Sequence, residues 1–486
     1  MPIPPYGGVG KTKKTMKKIL FVASEANPYA GTGGLGDVMG SLPAAIAAAE
    51  PDADVRVVIP LYSTVKSEYR AKMERVDEFV INLSWRRQYC GVYSLREKGV
   101  TYYFIDNEFY FKRNALYGNY DDGERYAYFC KAVMDMVQRI DFVPDILHAN
   151  DWQSALCVIY QKHKYRFPNT KTLYTIHNIE YQGIYGMDIL GDVFELPYEA
   201  KDDVCYNGCI NLTKGAMTCA NHVSTVSQQY SEEIKGEYFA SGLHHAVRAC
   251  AHKLSGIVNG IDYELFDPMN SPEIAAPFNE EDMSNKAACK AEVQRLFGLP
   301  EAPEVPVIAM ISRLASHKGF DLVRHVLEDL LQRDVQFVLL GTGESELENF
   351  FSWISKKYPH KCGVILAYNK AFAKKVYAGA DIFLMPSKSE PCGLAQMMAC
   401  RYGTVPVVRE VGGLYDTIKA YDPTTGKGNG VTFKSYDAYD MLNALDRSLE
   451  LYYDRENWNK LTVNAMTSDF SWQRSALEYI KLFSSL

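Results

Sequence analysis

The chain has 486 residues, 47% of them hydrophobic and 23% charged, with a formal net charge of −7. That length exceeds one ordinary hydrophobic core and predicts two domains. The negative balance excludes a polyanion-binding surface, so no nucleic acid is expected as partner, and no apolar run approaches the roughly 20 residues of a membrane span.

Residues 1–16 are polar, basic and rich in Gly and Pro, without the apolar stretch of a secretory signal, and read as a flexible basic extension. The GVGKT within them lacks the spacing and the preceding strand of a phosphate loop. The first strand is expected over Lys18–Ala23, followed by Ser24-Glu25-Ala26-Asn27-Pro28 and a glycine loop, Gly31-Thr32-Gly33-Gly34-Leu35-Gly36-Asp37. Glycines there let backbone approach a ligand closely, and a helix with Val38, Leu42, Ala45 and Ile46 on one face follows. The spacing is not that of a dinucleotide fingerprint.

Further strands are expected at Asp54–Ile59, Val100–Ile105, Asp145–Leu147, Lys171–Ile176 and His222–Val226, alternating with helices. Such alternation predicts a parallel, doubly wound sheet with function at the carboxyl ends of its strands. HANDW (148–152) and HNIEYQG (177–183) lie at two such ends. Cys205 and Cys209 are four apart on an expected helix, with no second pair to make a zinc set. The eleven cysteines read as reduced, buried thiols of a cytosolic protein.

The Gly- and Asp-rich segment 255–267, with a turn at Asn259-Gly260, joins two doubly wound units. An irregular polar stretch, roughly 270–304, precedes strands expected at Val305–Ile311, Val335–Leu340, Gly363–Leu366, Asp381–Met385 and Val405–Val408. Arg313 and Lys318 stand just beyond the first of these and supply two positive charges suited to a pyrophosphate. Gly341-Thr342-Gly343-Glu344 follows the second, and Tyr368 ends the third, where its ring can stack on a base. After the fourth, Glu390 precedes a helix expected to begin near Gly393, with Leu394, Met397 and Met398 on its apolar face and Gly403 as its stop. Backbone N–H groups at that helix start favour a phosphate, and Glu390 is placed to hydrogen-bond sugar hydroxyls.

In order along the chain, TGGLGDV (32–38), HNIEYQG (177–183), NGID (259–262), SRL with HKG (312–319), GTGE (341–344), AYNKAF (367–372), EPCGL (390–394) and VGGLYDT (411–417) resemble the bacterial glycogen and plant starch synthases over nearly the whole length. The resemblance implies a GT-B fold, two Rossmann-like domains facing across a cleft: 17–256 on the acceptor side, 257–469 binding the nucleotide sugar, and a helix, 470–486, returning to the first domain. It implies retaining transfer of glucose from ADP-glucose to the non-reducing end of an α-1,4-glucan (glycogen, starch or a maltooligosaccharide). No metal or cofactor is expected, and the location is cytoplasmic, or the plastid stroma in a plant or alga.

By the same resemblance, Arg313 and Lys318 neutralise the departing diphosphate. Gly393 and Leu394 form the phosphate cradle, Tyr368 stacks on the base, and Gly33, Gly34, Gly341 and Cys392 fall within the donor-side strings. Glu390 holds the glucosyl hydroxyls, His177 stands near the reaction centre, and Asp37, Asp151, Asn178 and Asn259 line the sugar and acceptor cleft. One position departs: the family's first loop carries a lysine where this chain has Gly31. That leaves open a UDP-glucose-using variant and a catalytically degenerate glucan-binding or regulatory subunit. Oligomeric state and allosteric control are not legible.

Overall fold

The computed structural model describes residues 17–367 and 369–486. Two sheets organise them. The first has nine strands in the spatial order Leu254–Gly256, His222–Thr225, Lys171–Ile176, Ile146–Asn150, Lys18–Val22, Asp54–Pro60, Val100–Asp106, Arg86–Glu97 and Glu74–Leu83. Seven of these run parallel, as βαβ units with buried apolar strands require. Lys18–Val22 lies between Ile146–Asn150 and Asp54–Pro60 and is almost wholly buried.

The last two strands form an antiparallel hairpin on Val100–Asp106, a departure from the all-parallel expectation. Its outer strand, Glu74–Leu83, buries little beyond Ile81 and Leu83, so its sequence carries no clear apolar run. A second departure concerns Cys205 and Cys209. They sit on two short antiparallel strands, not a helix, because Asn207 and Gly208 both take positive φ, 52° and 79°, the conformation of a tight Asn-Gly hairpin turn.

The second sheet is all parallel, in the order Cys362–Ile365, Gln336–Leu340, Val307–Ile311, Ile382–Met385, Val405–Arg409 and Val431–Phe433. The polar stretch before it is more regular than expected and contains the helix Lys286–Leu296, which buries Cys289 and Val293.

Two chain segments cross between the sheets. A bridge pairs Ile261 with Ser471, and a Cβ on Gly260 would stand 2.6 Å from the Trp472 backbone nitrogen, so only glycine fits the crossing. The Tyr263 hydroxyl accepts the Phe470 N–H at 2.8 Å and donates to the Ser468 carbonyl. Beyond this crossing the helix Trp472–Ser485 lays Trp472, Ala476, Tyr479 and Phe483 into the core of the nine-stranded sheet. Among the described residues no helix is long and apolar enough to cross a membrane, and all eleven cysteines are free thiols.

Candidate active site

The carboxyl ends of the parallel strands in both sheets carry the polar residues, and the first wall grows from three of them. After Lys18–Val22 the chain turns through Glu25, which is 3% exposed. Its carboxylate accepts the Thr32 N–H at 2.7 Å, the Gly33 N–H at 3.3 Å, the Thr32 hydroxyl at 2.7 Å and the Tyr117 hydroxyl at 2.5 Å. Glu25 therefore shapes the glycine loop from beneath. The following helix begins at Gly34, so Gly34 and Gly36 belong to it and not to the loop. Cβ atoms on Gly33 and Gly34 would meet nothing within 4 Å, leaving open space above the helix start.

Asp37, in the first turn of that helix, accepts the Asn27 side-chain N–H at 2.6 Å, and burial raises its pKa above the usual carboxylate range. Lys370, from the second sheet's side of the cleft, brings its ammonium within 3.9 Å of Asp37. Gly31 is exposed, but a Cβ there would stand 2.4 Å from Asn27 Oδ1. A cavity of about 550 Å³ opens beside this loop, lined by residues 27–32, Thr64 and residues 114–117.

The two neighbouring strands supply the histidine. Asn150 ends one of them, and its amide donates to the carbonyls of Val22 and His148 at 3.3 and 3.2 Å. Its Oδ1 therefore faces His177 Nε2, 2.9 Å away, so Nε2 carries the hydrogen and Nδ1 is left as an acceptor. Burial pushes the His177 pKa down to about 3, and the ring is neutral at working pH. Asp151, held at φ 56°, accepts the His177 N–H at 2.8 Å. Burial raises its own pKa to about 7. Asn178 spends its side-chain oxygen on the Glu180 N–H, closing the turn after the histidine.

His148, the first residue of HANDW, has a different place. It is fully buried, 2.6 Å from Thr175 Oγ1, and its ring packs on Phe21 and Tyr479. It is a core residue that ties the returning helix to the sheet.

The second wall centres on Lys318 and Glu390. The Lys318 ammonium donates to Glu390 Oε2 at 2.7 Å, the Ser387 hydroxyl donates to the same oxygen at 3.0 Å, and Glu390 is 6% exposed. These residues line a small crevice of about 110 Å³ with Ser312, Pro386, Gly393 and Leu394. The turn at Gly319, φ 78°, fits because a Cβ would lie 2.1 Å from the Pro386 carbonyl. Arg313 is exposed and, among the described residues, forms no ion pair.

The helix expected from Gly393 starts at Ala395 and ends at Arg401. Gly393 takes φ 71° and stays outside it. Its buried face is Gln396, Met397, Ala399 and Cys400, while Leu394 and Met398 are half-buried. Gln396 replaces an apolar side chain there because its amide donates to the carbonyls of Cys392 and Gly393 and to the Thr417 hydroxyl.

Cys392 is buried, its thiol pushed up to about 12 by burial, with the Asn259 backbone N–H against it. Asn259 is itself 6% exposed, and its Oδ1 is buried without a hydrogen-bond partner among the described residues. At Gly341 the close approach is to protein: a Cβ would stand 1.9 Å from the Ser312 carbonyl. Tyr368 lies outside the described residues, as do 1–16.

The structure thus gathers Arg313, Lys318, Glu390, Gly393 and Leu394 at one sheet edge, and Gly33, Gly34, Asp37, Asp151, His177 and Asn178 at the other. Sequence reasoning missed Glu25, Asn150 and Lys370. Glu25 and Asn150 each close an apolar strand, a signal for cleft residues on a parallel sheet. Lys370 carries no comparable signal.

One group among the described residues is able to hold a metal: His163, Asp203 and Cys219, with ligand atoms within 4.8 Å of one another. His163 lies on the π-helical turn Gln161–Tyr165 that extends the helix Trp152–Tyr160, about 18 Å along the helical run from Asp151 at a rise of about 1.5 Å per residue. Asp203 Oδ2 is already 2.7 Å from the Lys162 ammonium and 2.8 Å from His163 Nε2, so the group is an ion-paired cluster.

Residues 18–249 match the family model for the starch synthase catalytic domain, and residues 296–463 match that for glycosyl transferases group 1. Glycogen synthase of Bacillus cereus is 43% identical over 96% of this chain and 99% of its own length. That of Geobacillus thermodenitrificans is 44% identical over 96% and 98%. Among solved structures, the catalytic domain of starch synthase IV from Arabidopsis thaliana, bound to ADP and acarbose, superposes with a TM-score of 0.88 at 30% identity, covering 97% of this chain and 99% of that one. Sucrose-phosphate synthase from Thermosynechococcus elongatus, at 16% identity and a TM-score of 0.60, shares the fold. The chain is a GT-B glycosyltransferase of the bacterial glycogen synthase and plant starch synthase family.

Proposed function

We propose that the protein elongates an α-1,4-glucan, moving glucose from ADP-glucose to the chain's non-reducing end with retention at the anomeric carbon. The observation that carries this reading is the Lys318–Glu390 pair lining the crevice, with Arg313, exposed and without an ion pair among the described residues, just beyond the adjoining strand Val307–Ile311. In this reading the buried carboxylate holds sugar hydroxyls and the two cations hold the diphosphate. The glucan synthases that the chain resembles, and the ADP and acarbose in the similar plant structure, support the choice of donor and acceptor.

The chemistry follows from the commitments of the nearby carboxylates. Glu25 is spent on the glycine loop, Asp37 on the Asn27 amide with Lys370 beside it, Asp151 on the His177 backbone and Glu390 on Lys318. None is free to serve as the nucleophile of a double-displacement route, which uses a pair about 5 Å apart. A same-face substitution fits instead. The bond from C1 to the diphosphate oxygen breaks, the acceptor O4 bonds to C1 on the same face, and the O4 proton passes to the departing diphosphate. Arg313, Lys318 and the N–H groups around Gly393 stabilise the growing negative charge, so the reaction requires no metal. His177, neutral with a free acceptor nitrogen, orients a glucosyl hydroxyl without adding charge at the reaction centre. Domain closure over the cleft excludes water. The reaction takes place in the cytoplasm.

The test is nucleoside diphosphate release from ADP-glucose and from UDP-glucose, each with and without glycogen. Glycogen-dependent ADP release is expected. Release only from UDP-glucose replaces the donor, and glycogen binding without release from either marks a non-catalytic glucan-binding subunit, with Gly31 the residue to examine first.

A further inference from the structure

Two short helices meet across the cleft near the chain crossing: Gln228–Glu233, after the strand His222–Thr225 of the first sheet, and Gly412–Thr417, after Val405–Arg409 of the second. Each gives a carboxylate to the other's backbone. Glu233 Oε1 accepts the Gly412 N–H at 2.9 Å, and Asp416 Oδ2 accepts the Gln229 N–H at 2.9 Å. The Gln229 amide also donates to Glu233 Oε1, at 3.1 Å, and steadies that carboxylate.

The second helix is wedged against the loop that carries Glu390. A Cβ on Gly412 would lie 2.0 Å from the Glu390 carbonyl oxygen, and one on Gly413 would lie 2.1 Å from that of Cys392. The Gly413 N–H donates to the Glu390 carbonyl at 3.1 Å. At the other end of the loop, Arg409 donates to the carbonyls of Ser387 and Lys388 at 3.3 and 2.9 Å. With glycine at both contact points, no side chain cushions the helix from the loop, so a shift of one moves the other. Among the described residues Glu233 Oε2 is buried without a hydrogen-bond partner, a cost that packing alone does not explain.

We propose that Glu233 is a positioning residue for the transfer reaction: from the first sheet it sets, through Gly412 and Gly413, where Glu390 stands relative to His177 across the cleft. This inference rests on reading Glu390 as the residue that holds the transferred sugar. Because Glu390, Arg313, Lys318 and Gly393 all belong to the second sheet's side, loss of Glu233 shifts them together relative to His177 and so separates transfer from diphosphate binding.

Glu233→Ala and Glu233→Gln are the variants to compare, by glycogen-dependent diphosphate release and by calorimetric binding of ADP. Gln keeps an acceptor oxygen for Gly412. The Ala variant is expected to lose at least tenfold in kcat with ADP affinity within twofold of the parent, and the Gln variant to keep at least a third of the parent kcat. A parent-like kcat in the Ala variant overturns the proposal, as does ADP affinity falling in step with kcat, or a Gln variant as impaired as Ala. If the parent itself releases no diphosphate, the glucosyltransferase reading fails. Small-angle scattering then tests the contact: a larger radius of gyration in the Ala variant supports it, and an unchanged one overturns it.

Discussion

Lys318→Ala removes the ammonium that stands 2.7 Å from Glu390 Oε2. Glu390, 6% exposed in the parent, is left with the Ser387 hydroxyl as its remaining donor among the described residues, at 3.0 Å. Breaking a buried ion pair from one side costs about 3–5 kcal/mol. The Lys318 side chain is 21% exposed and Ser387 stays in place, so the expected loss of stability is nearer about 2–3 kcal/mol. The catalytic loss is separate. Removing one preorganised donor from a developing oxyanion lowers kcat by about 10²–10³-fold, and the same is expected for diphosphate departure here. The double variant Lys318→Ala/Glu390→Gln tells the two effects apart. A neutral amide leaves no unpaired buried charge, so most of the stability returns while turnover stays at or below that of the single variant. Thermal unfolding and diphosphate release on the parent, the single and the double variant are the assays. Turnover within threefold of the parent in Lys318→Ala, or a double variant as unstable as the single, refutes the reasoning.

Arg313→Ala should leave the melting temperature unchanged, because the side chain is exposed and unpaired among the described residues, yet lower kcat by about tenfold to a hundredfold; parent turnover removes Arg313 from the leaving-group site. At position 31, Gly31→Ala adds a Cβ 2.4 Å from Asn27 Oδ1 and should weaken donor binding by disturbing the Asn27–Asp37 contact. Gly31→Lys adds the same Cβ with a cation and should bind donor more tightly than the Ala variant; equal Michaelis constants would show that a charge there contributes nothing. Burial raises the Asp151 pKa to about 7, above the value of about 3.9 for an unfolded aspartate. The folded state therefore holds a proton that the unfolded chain has released, and this stabilisation, complete below about pH 3.9, is lost as pH rises through about 7. Melting temperatures of the parent should fall relative to Asp151→Asn across that rise, and a constant gap contradicts the assignment. EDTA should leave glycogen-dependent release intact; metal dependence would point to a different transferase class.

The longer parallel strands were legible because each is a short apolar run bounded by turn residues, and most lie within two residues of where the pattern puts them; the three-residue parallel strands Leu254–Gly256 and Val431–Phe433 at the sheet edges were too short to give such a run. Lys171–Ile176 matches its expected span. The hairpin Glu74–Glu97 was not legible, since its outer strand is largely exposed and its apolar residues follow no clean alternation. Cys205 and Cys209 were misplaced by counting a helical spacing across Asn207-Gly208, where the local turn chemistry decides. Within the site, Lys318 and Glu390 stand at strand ends, and their positions follow from the alternation of strand and helix. Their mutual contact, 72 residues apart in the chain, does not. Lys370 acts through a partner elsewhere in the chain, Asp37, and no local pattern marks it. Gln396 shows the converse: a polar residue on a buried helix face is explained only by the carbonyls that it caps.

The linkage and configuration of the product test the central claim most directly. Isotope-labelled ADP-glucose incubated with a maltooligosaccharide, followed by NMR of the anomeric carbon and digestion from the non-reducing end, reads both together. The account predicts label in a new α-1,4-linked terminal glucose that the exo-acting amylase removes. Label in a β-linkage contradicts retention, and label released only as free glucose contradicts transfer to a glucan.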